Sequence, residues 1–426
     1  MARLKRVLNF WEALAINIGA IIGAGIFVIS GLAAGIAGPA VLISIVVGAA
    51  IALCTGLGFA AMSHAISAEG GGYKYAEKLL GRYAGLVSGL TFIISGSIAG
   101  AAMALSFGSY FASIFGLGIS PVMAAIALVA VLGAINYLGV KDSADVSVAL
   151  VVVKIAVLAL FVVAGLLLIK PGNYTPFVPN GTQSVLVASA FIFFAYTGFA
   201  RIATLGEEVK DPKRTVPKVI ISSVIISMAI YFLVMFVLIG MTNYTIVSGS
   251  AAPLSTAIID ATHNPTIGLV IALGAIVATV NVALTMILGL SRVVFSMARD
   301  ASIPRLFSRL NRFGTPTVAI AVIVILMAAT VLAVGFKDIV AISNSGVLVS
   351  YVVANIAAFA LLYRGAGALK GTWYSSRYFK VVPVLGAALS IVLMAFLTGL
   401  SMEITAVVLA LITLYYLSLR RRSSSK

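Results

Sequence analysis

Two apolar stretches of this chain are interrupted by glycine in a way that could do chemistry. One is Ile16–Phe27, INIGAIIGAGIF, where Gly19, Gly23 and Gly25 fall close together; the other is Phe193–Ala200, FFAYTGFA. A helix broken inside a bilayer frees backbone N–H and C=O groups, which is tolerated only where they line a polar cavity or are buried in protein. The half-helix that restarts after the first break would turn the N–H groups of Ala24, Gly25 and Ile26 toward an anion such as a carboxylate. The carbonyls on the other side of the break would be free to hold a cation or an ammonium. A second reading is open on spacing alone. Gly19 and Gly23 also form the Gly-x-x-x-Gly pattern that lets membrane helices pack closely with no break.

The third chemical feature is Lys154, set in the apolar run Val148–Leu158. It lies eight or nine residues from the inner end of its span, about 12 Å deep at the helical rise. An unpaired charge at such depth costs several kcal/mol. Either it snorkels or is paired for structure, or it is a protonation switch, a role lysine can take and arginine cannot. Arg292 and Arg201 are also placed within spans. Arg292 is expected to pair with cytoplasmic acids; Arg201 is expected to pair with Glu207 or Glu208, or to touch the substrate pathway. His64 and His263 join no metal or nucleophile cluster, and Cys54, the single cysteine, is read as a packed small hydrophobe. Nothing resembles a phosphate-binding loop, which argues against ATP drive. No cofactor and no metal are expected.

These residues are carried by elements that the composition identifies. The chain has 426 residues, is 62% hydrophobic and 9% charged, and has a mean hydropathy of +1.17. Runs of about 20 apolar residues can each cross a bilayer as a helix. Twelve are predicted: 12–35, 38–66, 82–115, 120–138, 146–169, 184–206, 216–240, 265–298, 316–335, 338–363, 380–399 and 401–419. The first is too long for a cleaved signal peptide and begins with Glu12 and Asn17. The net charge of +16 does not point to nucleic acid, because its distribution follows the membrane. Of the Lys and Arg residues only Lys170 and Lys337 fall outside, and Lys154, Arg201 and Arg292 within spans; the rest lie on the inner side, which puts both termini in the cytoplasm of a plasma-membrane protein. The tail Arg420–Lys426 is expected near anionic headgroups. Asn173, Asn180 and Asn243 head Asn-x-Ser/Thr sequons on predicted outer loops.

Five spans per half is an odd number, so the second half must enter the membrane inverted. The expected units are 1–170 (spans 1–5), 184–365 (spans 6–10) and 380–426 (two extra spans and the tail). The two interrupted helices, first in each half, then meet near the midplane, where such repeats place substrate and coupling-ion sites.

Several motifs together resemble one family. Gly23-Ala-Gly-Ile-Phe27 resembles the first-span signature of the amino acid–polyamine–organocation superfamily. Tyr196–Phe199, Ala203–Glu208 and Lys210–Pro217 resemble its sixth span and following loop, Glu69–Tyr75 its first inner loop, and Ser291–Asp300 with Ile303-Pro304 the end of its eighth span. The nearest likeness is to prokaryotic proteins similar to cationic amino acid transporters, with a ten-helix inverted-repeat core and two extra helices. That resemblance implies an all-α integral membrane fold with helices 1 and 6 interrupted. It implies a substrate carboxylate on the backbone of Ala24 and Gly25 and an α-amino group on carbonyls near Ile21. It also implies contacts from Phe194, Ala195 and Thr197. Lys154 would occupy the place of a bound sodium in sodium-coupled relatives, reaching carbonyls of Gly19 and Ile22 and a polar group of span 8, either Asn281 or Thr279. Ala200 stands where related cationic-substrate proteins often carry an acid.

The expectation is a secondary transporter that imports an amino acid by proton-coupled alternating access. A neutral substrate is favoured, because no carboxylate lies near either break. The partners are then the amino acid, protons and the lipid bilayer, with no nucleic acid and no enzymatic activity. The alternatives are obligate exchange of two amino acids with Lys154 as a fixed charge, or a sensor or channel.

Overall fold

The structure, a computed structural model, describes residues 8–23, 25–66, 70–115, 118–138, 143–206, 208–250, 252–333, 336–364 and 369–424. It is all-helical; among the described residues the only β pairing is in two isolated bridges, Leu8 with Val209 and Leu310 with Pro316. Ten helical stretches are long and apolar enough to cross a membrane, the first of them the 56-residue run Phe10–Ala65, and Thr317–Ala333 is a shorter apolar helix.

Helix α1 (Phe10–Ile21) begins on a capping box. The Asn9 side chain accepts from the Trp11 and Glu12 N–H groups at 2.9 and 3.1 Å, and Glu12 accepts from the Asn9 N–H at 2.7 Å. The acid in this apolar run is therefore a cap that satisfies otherwise orphaned donors. The helix stops at Ile22, whose backbone is extended (φ −76°, ψ 102°). The chain restarts as a π-turn over Gly25–Ile29 and continues as α2 (Ser30–Ala37). After Pro39 comes α3 (Val41–Ala65), and a short amphipathic helix α4 (Gly72–Leu80) leads into α5 (Arg82–Phe115). Helices α6 (Pro121–Leu138) and α7 (Ser143–Leu166) follow.

Beyond the outer loop, α8 (Thr182–Tyr196) tightens into a 3₁₀ turn at Thr197–Ala200 and resumes as α9 (Arg201–Thr204). The second interruption is thus a narrowing of the helix, with no extended residue like Ile22. Thr197 stays helical (φ −57°, ψ −15°), and its N–H bonds back to the Phe194 carbonyl. The remaining helices are α10 (Pro212–Met241), α11 (Tyr244–Val247), α12 (Pro253–Thr262), α13 (Pro265–Arg299), α14 (Thr317–Ala333), α15 (Phe336–Arg364), α16 (Val381–Met394) and α17 (Gly399–Ser424).

Helix α1 sits at the centre, packed on α7, α10 and α13, while α3 packs on α8 and α10, and α5 on α13 and α15. Backbone meets backbone where the two interruptions cross. A methyl group on Gly198 would run into the Ala20 carbonyl, and one on Gly25 would lie 2.6 Å from the Ala195 Cα. These two glycines allow the close approach that small residues give helices in lipid, where apolar side chains gain little over lipid tails. At the end of the bundle near the start of α1, the Leu8 N–H donates to the Glu208 carbonyl at 3.0 Å and the Lys210 N–H to the Leu8 carbonyl at 2.8 Å. Lys74 there bridges Glu77 and Asp300 at 2.7 and 2.6 Å. Partial burial lowers the pKa of its ammonium, but the two carboxylates more than offset that and hold it above the ordinary lysine value.

Gly198→Val should therefore force the crossing apart at a cost of about 1–3 kcal/mol or more. We expect a lower thermal unfolding temperature in detergent, whereas Gly249→Val, at a position with open space around it, should leave it unchanged. Equal unfolding temperatures for the Gly198 variant and the parent would contradict the tight crossing.

Candidate functional site

Breaking α1 frees carbonyls at its end, and several of them accept from side chains of other helices. The Lys154 ammonium, fully buried on α7, donates to the Gly19 carbonyl at 2.7 Å and to the Ile22 carbonyl at 2.6 Å. The Tyr231 hydroxyl of α10 shares its proton between the Ile21 carbonyl at 2.8 Å and the Ala195 carbonyl at 3.1 Å. The Phe27 carbonyl accepts from the Tyr110 hydroxyl of α5 at 2.8 Å. In the second interruption the Thr197 carbonyl accepts from the Tyr351 hydroxyl at 2.7 Å. Asn17 spans the two interruptions: its amide donates to the Phe199 carbonyl at 3.0 Å and to Ser223 at 2.6 Å, and its carbonyl accepts from the Ile202 N–H at 3.1 Å. A buried backbone group without a partner costs about 1–3 kcal/mol, so this ring of side chains is what allows an irregular backbone inside the bundle.

Between the interruptions is a small cavity, lined by Ala20, Ile21, Gly23, Gly25, Phe194 and Ala195, with Thr197, Met103, Val282 and Met286. The residues around it are buried. Its lining carries no carboxylate and one hydroxyl, and that hydroxyl, on Thr197, already donates to the Phe194 carbonyl at 2.9 Å. What a ligand meets is apolar side chains and the ends of broken backbone. Among the described residues no three His, Cys, Asp or Glu converge as a metal site.

The sequence-predicted residues fall as follows. Ile21, Gly25, Phe194, Ala195 and Thr197 line the cavity. Ala24 lies outside the described residues. The Ile26 N–H, expected to be free for an anion, closes a turn onto the Gly23 carbonyl at 3.2 Å; of the three predicted donors, this one is spent on its own chain. Ile26 itself is buried. The Ile21 carbonyl, expected to meet an amino group, is engaged by Tyr231. Gly19, Ile22 and Lys154 come together, with Asn281 beside them: a methyl on Gly19 would lie 3.5 Å from the Asn281 Oδ1. Thr279 turns its hydroxyl to the Ile276 carbonyl of its own helix. Ala200 is in the wall of a separate cavity toward Phe59 and Gly72. Arg292 faces Glu208 at 3.8 Å. Arg201 does not pair with Glu208; it donates to the Thr285 carbonyl at 2.9 Å and to the Met286 sulfur at 2.7 Å, and Glu207 lies outside the described residues.

Reading the sequence for charges and glycines missed Tyr110, Tyr231 and Tyr351. The available signal was a tyrosine in the middle of an apolar span, since a buried phenol hydroxyl needs a partner.

Comparison with known proteins places this geometry. The profile of the amino acid permease family matches residues 8–417. An uncharacterized transporter of Mycobacterium tuberculosis is 36% identical over 84% of this chain and 81% of its own length. The branched-chain amino acid permease BcaP of Bacillus subtilis is 32% identical over 84% of the chain and 81% of its length. The methylthioribose transporter of Bacillus subtilis is 30% identical over 99% of the chain and 95% of its length.

The Gly25 contact gives a sharp expectation. Even Gly25→Ala puts a methyl 2.5 Å from the Ala195 Cβ and must separate two walls of the cavity. Ligand binding, read as thermal stabilisation of the purified protein by amino acids, should fall at least about tenfold; wild-type affinity in that variant would remove Gly25 from the site.

Proposed function

The chain belongs to the amino acid permease family of the amino acid–polyamine–organocation superfamily, and from that premise we propose that it imports a neutral amino acid by proton-coupled alternating access. It is a multi-pass membrane protein. Counting Phe10–Ala65 as two crossings and adding Thr317–Ala333 brings the ten stretches to twelve. In the proposed arrangement 1–170 and 184–365 are inverted repeats, 380–426 adds two spans, and both termini lie in the cytoplasm of a cell whose plasma membrane holds the protein.

One observation carries the coupling: the buried Lys154 ammonium held by the Gly19 and Ile22 carbonyls. Each hydrogen bond to a charged group is worth about 1.5–3 kcal/mol. Two of them are of the same size as the several kcal/mol that burying an ion costs. Losing one carbonyl when the α1 break moves is therefore enough to change whether the charge is tolerated. The charged lysine ties α7 to the break and favours one orientation of the cavity; the neutral lysine releases it. The ammonium fills the position a sodium ion would need, so transport is independent of sodium. Neutral selectivity is supported by a lining that has no carboxylate to receive a second ammonium. The similarity to a methylthioribose transporter raises a sugar as substrate. A sugar needs several hydroxyl partners, and a cavity whose one hydroxyl is already engaged suits it less well than an amino acid with an apolar side chain.

Uptake into sealed vesicles tests this. With an inward proton gradient, wild type should concentrate a neutral amino acid whether or not sodium is present. Lys154→Ala should lose accumulation on the gradient, by about tenfold or more, while still binding substrate. Strict sodium dependence of the wild type, or gradient-driven accumulation by the variant, would refute the mechanism.

A further inference from the structure

We infer that Arg201 is the charge filter of the cavity: a fixed positive charge behind Met286 of its wall that turns away amino acids with cationic side chains. The inference rests on the reading of this cavity as an amino acid site and assigns its selectivity to one residue.

Arg201 opens α9, one turn after Thr197, which is itself in the cavity wall. It is 4% exposed. Its side chain runs along α13, and the room for it exists because position 289 is glycine, where a methyl would lie 2.6 Å from the Arg201 Cδ. The guanidinium lies behind the cavity wall, in contact with a residue that forms it. Its Nη1 donates to the Thr285 carbonyl and its Nη2 to the sulfur of Met286, and Met286 lines the cavity. The Nε has no hydrogen-bond partner. Among the described residues no ion pair brings a carboxylate to Arg201; the acids of the inner face are engaged by Lys74, Arg214 and Arg292.

A guanidinium does not give up its proton in a protein, and neither a carbonyl nor a thioether cancels its charge. The sulfur is moreover a weak acceptor on a flexible side chain. The positive field therefore acts on whatever occupies the space beside Met286. An ammonium there meets a like charge at short range, away from bulk water, and no acid in the lining offsets it. A neutral side chain feels no such penalty. A merely structural Arg201, clamping the 3₁₀ turn to α13, would depend on its hydrogen bonds and its size, and a neutral donor of similar length would serve in its place.

Charge and hydrogen bonding are separable by substitution. Arg201→Gln keeps a donor and loses the charge, and Arg201→Lys keeps the charge. Met286→Glu leaves Arg201 in place and sets a carboxylate on its Nη2, with Met286→Gln as the neutral control. The readout is the ratio of the affinities for norleucine and lysine, whose side chains are of similar length and differ by a terminal ammonium. It is measured by competition with uptake of a labelled neutral amino acid, or by ligand-induced thermal stabilisation for variants that bind without transporting. The ratio should fall at least about tenfold in Arg201→Gln and in Met286→Glu, and stay near the wild-type value in Arg201→Lys and Met286→Gln. A folded Arg201→Gln protein with the wild-type ratio would overturn the filter, as would equal ratios in the two Met286 variants; if Arg201→Gln does not fold, the Met286 pair decides. Should the wild type neither bind nor take up any amino acid, the site reading itself fails and the filter with it, an outcome distinct from an amino acid site whose ratio does not respond to these variants.

Discussion

The rest of the structure depends on one constraint: an irregular backbone inside a membrane must have all of its polar groups satisfied. The stop of α1 at Ile22 leaves carbonyls that α1 cannot use itself, and three other helices supply donors around it. Lys154 comes from α7, Tyr231 from α10, and Tyr110 from α5, while Tyr351 of α15 and Asn17 of α1 do the same for the 3₁₀ turn. The site is the place where these demands converge. Moving any one of those helices breaks a specific hydrogen bond at the interruption, which is how a change around the cavity is felt at the α1 break.

The donors are not equivalent. A tyrosine hydroxyl gives a neutral hydrogen bond that does not switch near physiological pH. Lysine gives a charge-assisted one that weakens when its extra proton is lost. In the proposed mechanism, lysine as the donor on the Gly19 and Ile22 carbonyls makes proton occupancy and backbone geometry two descriptions of one state. This is the kind of two-state element on which coupling between a driving ion and a substrate rests. Arg201, also buried, cannot switch, and in the proposed filter it acts on what enters the cavity and not on when the cavity opens.

Much of the architecture was legible in the sequence, because its rules are local. The apolar runs announce membrane helices, and three glycines within a short stretch announce a weak helix. The extended conformation of Ile22 resolves the ambiguity between a break and a packing motif, and Gly25 turns out to stand at a backbone crossing as well. The second interruption was less legible. Tyr196-Thr-Gly-Phe199 reads like a break, but tertiary contact keeps it helical: Gly198 lies against Ala20, and Asn17 and Tyr351 take up the carbonyls that the 3₁₀ geometry exposes. The fate of the Ile26 N–H and the partners of Arg201 could not be read from spacing, because both depend on where a remote helix passes. Arg201 is an extreme case. Its contacts are a carbonyl and a sulfur of α13, and the glycine that makes room for it lies far along the chain.

The central claim is that a proton and a substrate cross together through the Lys154 switch. It is tested most directly by vesicles that enclose a pH-sensitive dye, with no gradient imposed and no sodium present. Adding a neutral amino acid outside should acidify the lumen in step with its uptake, and Lys154→Ala vesicles should show no acidification. Uptake by the wild type with no change in lumenal pH would contradict the account.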